Sequence, residues 1–165
     1  HYLIAMCYYE MIEDEKRDSG PLVRAKDKFN FIIANYPNTD FSLDSKFKIA
    51  LIEDILASKE MYLGRHYIKK NKWIAAINRF KYVLENYDQT IFVEEALHRL
   101  VEINYKLGLI DESQKYANLL GYNYLSGEWY KKSYIVFNKD YEEKSKKDIK
   151  KEKKGVIRKF KKLFD

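Results

Sequence analysis

The side chains best suited to metal or acid–base chemistry in this 165-residue chain are three histidines, one cysteine and two runs of carboxylates. His1, His66 and His98 show no metal-ligand spacing, and His66 and His98 fall on different predicted helices. A zinc site takes three or four ligands held together, so these read as partly exposed helical histidines. Cys7 stands alone, which excludes an internal disulfide and leaves the redox compartment open to cytosol or periplasm. The run Leu3-Ile4-Ala5-Met6-Cys7 has the outline of a lipoprotein cleavage box, but Met6 fills the place of the required small residue and few residues precede it. A buried helical cysteine is the expectation. Glu10, Glu13, Asp14 and Glu15, and the pair Glu94-Glu95, fall on polar faces or in loops. Catalytic carboxylates need burial or a cleft to split their pKa values. With no Gly-rich phosphate loop, G-x-S-x-G elbow or Cys-His arrangement, the chain is expected to be no enzyme and to hold no cofactor and no metal.

A different spacing is regular. Leu63-Gly64-x-x-Tyr67 is followed by Ala76 and Phe80, the landmarks of the helix-turn-helix tetratricopeptide repeat of about 34 residues. That repeat places small residues where two helices cross and bulky ones in the gaps beside them. Asn71 falls at the inter-helix turn, where a left-handed residue is required and Asn is tolerated. Upstream, a first helix is predicted over residues 1–12 with Ala5, Tyr8 and Tyr9 at contact positions. A polar insertion of about eight residues then ends at Pro21, which suits the opening turn of a helix. That helix carries Ala25-x-x-x-Phe29 and ends at Tyr36-Pro37-Asn38-Thr39.

Residues 42–70 contain no breaker except Gly64, and Phe47, Ala50, Leu51, Ile55, Leu56, Met61, Leu63 and Tyr67 recur at helical spacing. This predicts one long central helix of about seven turns. Its partner spans residues 73–87 with Ile74, Ile77, Phe80, Val83 and Leu84 facing inward. Asp88 stands where the repeat has Pro, so Thr90 is expected to cap the next helix, with Glu94 and Glu95 in its first turn. Residues 91–108 and 111–121 form a third pair, with Gly108 at the turn, Ala117 and Leu120 at the contact and Ser113 in place of the small Ala. The fold class is thus all-α, with three tetratricopeptide-like pairs stacked in a short right-handed superhelix over residues 1–130.

Fifteen Tyr and nine Phe suit rings laid between stacked helices. The net charge of +6 is uneven: residues 131–165 hold 14 Lys/Arg against 6 Asp/Glu, and residues 1–130 hold 17 against 19. The segment 131–165 reads as a basic tail, partly helical or disordered. At its end Val156, Ile157, Phe160, Leu163 and Phe164 share one helical face while Arg158, Lys159, Lys161 and Lys162 take the other. Such an amphipathic segment can meet an anionic membrane surface or fold against a partner or the repeats. Nucleic-acid binding is not expected: most rings occupy repeat core positions and the body is slightly acidic. No apolar stretch nears the roughly 20 residues of a spanning helix. The chain opens at His1 already inside an amphipathic pattern, which reads as a fragment or a processed chain.

The segments Lys59-Glu60-Met61-Tyr62-Leu63-Gly64-Arg65-His66-Tyr67, Trp73-Ile74-Ala75-Ala76-Ile77-Asn78-Arg79-Phe80 and Glu94-Glu95-Ala96-Leu97-His98-Arg99-Leu100-Val101-Glu102 together resemble the bacterial outer-membrane assembly lipoprotein family BamD, formerly called ComL. The turn Tyr36-Pro37-Asn38-Thr39 and the stretch from Tyr122-Asn123-Tyr124 to Trp129-Tyr130 extend the resemblance over residues 1–130. It implies a non-catalytic scaffold on the periplasmic face of the outer membrane, in the BAM machinery that inserts β-barrel proteins. The partners it implies are the POTRA domains of BamA, other BAM lipoproteins, unfolded outer-membrane protein clients and the periphery of the membrane's inner leaflet. Family members generally carry five repeats and an amino-terminal lipid. This chain is expected to begin at the third repeat, without the lipid-bearing cysteine or the amino-terminal client groove.

The resemblance also assigns partner binding to Asn78 and Arg79, because the family's BamA-contacting arginine aligns with Arg79. On the residues alone, Arg79 lies between inward-facing Ile77 and Phe80, points largely outward and is an ordinary solvated side chain. The resemblance turns it into one half of a desolvated ion pair with an acidic partner. The basic tail lies beyond the family pattern, and Ile157, Arg158, Lys159, Phe160, Lys161, Lys162 and Phe164 are its candidate membrane or partner contacts. A second function fits the same repeats: a cytosolic adaptor that holds a short peptide or partner helix in a concave groove.

Overall fold

In a computed structural model, the structure describes residues 1–11, 18–125 and 127–138. Seven helices and no strand occur among them: α1 (Tyr2–Glu10), α2 (Gly20–Asn35), α3 (Asp40–Lys69), α4 (Trp73–Asn86), α5 (Val93–Lys106), α6 (Ile110–Asn123) and α7 (Glu128–Phe137). The chain divides into two compact units, His1–Leu100 and Val101–Asp165, with the division inside α5. Among the described residues no helix is long and apolar enough to cross a membrane. The basic amphipathic residues 156–164 lie outside the described residues.

In the first unit α1 packs on α2, and α3 packs on both α2 and α4. The 30-residue α3 serves two neighbours in turn. Ile52 and Leu56 join a core with Ala5, Leu22, Ala25, Phe29 and Ile32 from α1 and α2. Gly64 then crosses α4 so closely that a Cβ there would lie 2.5 Å from Cε1 of Phe80, a fully buried ring. Burying whole aromatic and branched side chains contributes about 1.5–3 kcal/mol each, and it is the small residues at the crossings that let the helices come near enough to do so.

Two turns share one geometry. Asn71 has φ 57° and Gly108 has φ 78°. Lys72 N–H donates to the Tyr67 carbonyl and Asn71 N–H to Ile68, just as Leu109 N–H donates to Asn104 and Gly108 N–H to Tyr105. This is the Schellman arrangement, in which a left-handed residue lets the chain satisfy the last helical carbonyls while reversing direction. The other ends of the pairs repeat as well. Tyr36, Tyr87 and Tyr124 close α2, α4 and α6 with φ of −135°, −137° and −138° and ψ of 52°, 44° and 46°. Before each stands an asparagine whose Nδ2 donates to the carbonyl four residues back: Asn35 to Phe31, Asn86 to Tyr82 and Asn123 to Leu119. Thr39 and Thr90 follow the first two, each donating its hydroxyl to the tyrosine carbonyl at 2.8 Å. Thr39 also accepts from Ser42 N–H and caps α3. Thr90 contributes its carbonyl, accepting from Val93 N–H at the start of α5.

Several expectations change. Ile74, read as facing inward, is exposed at 67%, and Phe47, Leu51 and Ala50, three of the apolar residues that recur at helical spacing along α3, are exposed as well. The buried face of α3 is Ser42, Ser45, Ile52, Leu56, Ala57, Met61 and Gly64. Small size at a close crossing, rather than hydrophobicity, decides burial there; Ser45 turns its hydroxyl onto the Phe41 carbonyl. Ile74 lies about half a turn round from the buried Val83 on α4. Cys7 is helical but exposed. Past Trp129, where the pattern loosens, the chain continues as α7 to Phe137. Tyr130 packs over Gly121 of α6, and the ring of Phe137 meets Tyr105 of α5 edge-on at 5.3 Å.

Candidate functional site

Arg79 sits on α4, beside exposed Asn78 and between the buried Ile77 and Phe80. The helix repeat that turns those two apolar residues into the α3–α4 crossing leaves Arg79 at its border. Its guanidinium is therefore engaged within the chain: Nη1 lies 3.0 Å from Oε2 of Glu60 on α3. The side chains differ in exposure, 41% for Arg79 against 16% for Glu60. The carboxylate lies beneath and the guanidinium faces out. The Arg79 pKa is held above its ordinary value, chiefly by the hydrogen bond to Glu60. So Arg79 is more tightly held than an outward-pointing, solvated arginine.

A second charged cluster lies within the same unit. Arg65 on α3 reaches both oxygens of Glu95 on α5 at 3.1 and 3.3 Å, and Arg99 reaches Glu95 from one turn on, Nε to Oε1 at 3.2 Å. Glu95 was expected at this helix start as a complement to the helix dipole, and it does open α5. Its larger work is to bind two guanidinium groups. Lys26 on α2 and Glu53 on α3 pair at 2.8 Å. Each neighbouring helix in this unit is thus joined to α3 by at least one charge-assisted contact.

Tyr87 lies close to this acidic ground. Its phenol is pushed up to about 12, first by burial, then by Tyr82, with the charges of Glu60 and Glu53 adding. A raised folded pKa means that its contribution to stability is complete below about pH 10 and is lost as pH rises toward about 12. The alkaline fall in stability over that window is expected to be shallower in Tyr87→Phe than in the wild type, as urea melts at stepped pH would measure.

The histidines stay apart. His66 lies exposed on α3, His98 is buried on α5 and not partly exposed as read, and His1 stacks on Phe31 with ring centres 4.5 Å apart. Among the described residues no group of three or more His, Cys, Asp or Glu is placed to hold a metal ion. The asparagine-tyrosine pairs that end α2, α4 and α6 went unread as a repeat, although each lies ten residues beyond Ala25, Ala76 or Ser113. Candidate contacts Ile157, Arg158, Lys159, Phe160, Lys161, Lys162 and Phe164 lie outside the described residues.

Paired antiparallel helices with small crossing residues, left-handed inter-helix turns and a recurrent terminal tyrosine define a helical-repeat protein of the tetratricopeptide type. The family model described as "YfiO: Outer membrane lipoprotein" matches residues 1–120. The chain belongs to this family. It is 47% identical over 134 residues to the outer membrane protein assembly factor BamD of Rickettsia prowazekii, covering 81% of this chain and 53% of that protein. To the BamD of Caulobacter vibrioides it is 40% identical over 137 residues, covering 83% and 45%. To that of Xylella fastidiosa it is 28% identical over 119 residues, covering 69% and 41%. The chain spans about half the length of the first two relatives.

Proposed function

We propose that this chain is the later-repeat part of a non-catalytic scaffold that works in outer-membrane protein assembly, on the periplasmic face of that membrane. In this reading it binds the POTRA domains of BamA through Arg79 and Asn78, within a complex held at the membrane by a lipid on a preceding segment. Other BAM lipoproteins and unfolded β-barrel clients are partners of the assembled complex, and the basic residues beyond α7 serve as a tail at the membrane periphery or on a neighbouring subunit. Membership in the YfiO family and the assembly-factor relatives support the assembly role. The single observation that carries the contact is a partly exposed arginine paired with a largely covered glutamate beside an exposed asparagine. An arginine fixed before binding loses little rotamer entropy when it binds, which is what an interface anchor requires.

The experiment is a titration of this chain with the BamA POTRA domains of the same organism, wild type beside Arg79→Gln. Gln is chosen because Arg79→Glu would set a carboxylate against Glu60 and confound binding with folding. Affinity is expected to fall by about tenfold, on the order of 1.4 kcal/mol, while the helical circular dichroism stays unchanged. Equal affinity in the two proteins would remove Arg79 from the interface.

A further inference from the structure

The Glu60–Arg79 pair is asymmetric in a way that bears on what it can bind. A guanidinium carries five N–H donors in a planar fork. Glu60 takes Nη1 through one oxygen, Oε2, so the contact ties down one corner of the fork and leaves its other donors open. Glu60, at 16% side-chain exposure, comes from α3, whose backbone is held against α4 by the Gly64–Phe80 crossing. The same crossing holds the backbone beside Arg79, so what separates the two is side-chain exposure: the acceptor is largely covered and the donor is not. Left alone, an arginine at 41% exposure would sample many rotamers, and ordering it on binding costs about 0.5–1.5 kcal/mol.

We propose that Glu60 is the positioning residue of this contact: it holds the Arg79 fork with its outer edge turned to solvent, shaped to accept a carboxylate of the partner domain from the side away from α3. This rests on the reading of Arg79 as a partner contact. Because Glu60 already offsets the charge of Arg79, the site selects its ligand by geometry more than by long-range attraction. A planar carboxylate matches the fork in two parallel hydrogen bonds. The competing arrangement, in which Glu60 occupies Arg79 and must be displaced, makes the opposite prediction: removing Glu60 would tighten binding.

A double-mutant cycle separates the possibilities. Glu60→Ala, Arg79→Gln and the double variant are titrated with the same POTRA domains, with thermal melts beside each. Glu60→Ala is expected to weaken binding by about fivefold to tenfold when Arg79 is present and to change it less than twofold in the Arg79→Gln background, a coupling of the size contacting residues show. Glu60→Gln keeps an acceptor oxygen for Nη1 and is expected to stay within about threefold of wild type. Tighter binding by Glu60→Ala, or equal losses in both backgrounds, overturns the positioning role while leaving the Arg79 contact standing. An Arg79→Gln protein that binds like wild type overturns the contact itself, and the role of Glu60 with it. If Glu60→Ala does not fold, Glu60→Asp, which withdraws the oxygen by about one C–C bond, takes its place in the cycle with the same pattern expected.

Discussion

Phe80→Ala is expected to destabilise the protein by about 3–5 kcal/mol, enough to consume much of the 5–15 kcal/mol that a domain typically has. The ring is fully buried at the α3–α4 crossing, and its edge fills the space that a side chain at Gly64 would need. Gly64→Ala should also destabilise, because Cβ would come within 2.5 and 2.6 Å of two ring carbons. Overpacking of this kind costs about 1–3 kcal/mol. Replacing a helical glycine returns about 1 kcal/mol of backbone entropy, so the net loss should be about 1 kcal/mol. In a Phe80→Ala background the clash is gone and only the helical gain remains. The effect of Gly64→Ala should therefore change sign there and stabilise by up to about 1 kcal/mol. Urea denaturation of the four proteins measures this, and a Gly64→Ala cost that is the same in both backgrounds would show that Phe80 is not what the glycine makes room for.

The same crossing explains how far the fold could be read. Gly64, Tyr67, Ala76 and Phe80 are residues whose identity follows from contact geometry, so their spacing announced the second pair, and Asn71 announced its turn. Hydropathy served less well wherever burial follows from size. Ser42, Ser45, Ser113 and Ser133 are all buried, yet a periodicity scan counts each as polar. Discounting them rotates the apparent inner face of α3 toward Phe47 and Leu51, and it hides α7, whose buried residue is Ser133. At Ser113 the buried hydroxyl is satisfied, its Oγ donating to the Val101 carbonyl at 2.9 Å, whereas the Ser42 Oγ is buried without a hydrogen-bond partner.

The candidate site was legible only in part, for a related reason. Periodicity places Arg79 next to an inward face, which fixes its helix and its border position. It says nothing about Glu60, whose sequence neighbours are Lys59 and Met61 and whose partner lies 19 residues on. Ion pairs between helices depend on which turns face one another, and that depends on the crossing. Once Gly64 is set over Phe80, Glu60 one turn earlier on α3 comes level with Arg79 beside that ring. The glycine thus positions the charge pair as well as the core.

The largest electrostatic effect is expected at Glu95. Removing it in Glu95→Ala leaves Arg65 and Arg99 without the carboxylate that both bind. Breaking a fully buried pair by deleting one partner costs about 3–5 kcal/mol, because the survivor is left charged and desolvated. Here Glu95 is 14% exposed, but Arg65 and Arg99 are 35% and 26% exposed and can turn part of their charge to water. A discount for that screening brings the expectation to about 2 kcal/mol. Glu95→Gln, which keeps an acceptor oxygen and the side-chain shape, should cost about half as much. The surface pair Glu128–Lys132 provides the contrast. It is shorter, at 2.8 Å, yet Glu128 is 78% exposed, and Glu128→Gln should leave stability nearly unchanged. Distance alone would rank these pairs the other way. Urea melts of the three variants decide whether burial is what gives the Glu95 cluster its weight; a loss at Glu128 equal to that at Glu95 would show that burial does not set the size of the effect.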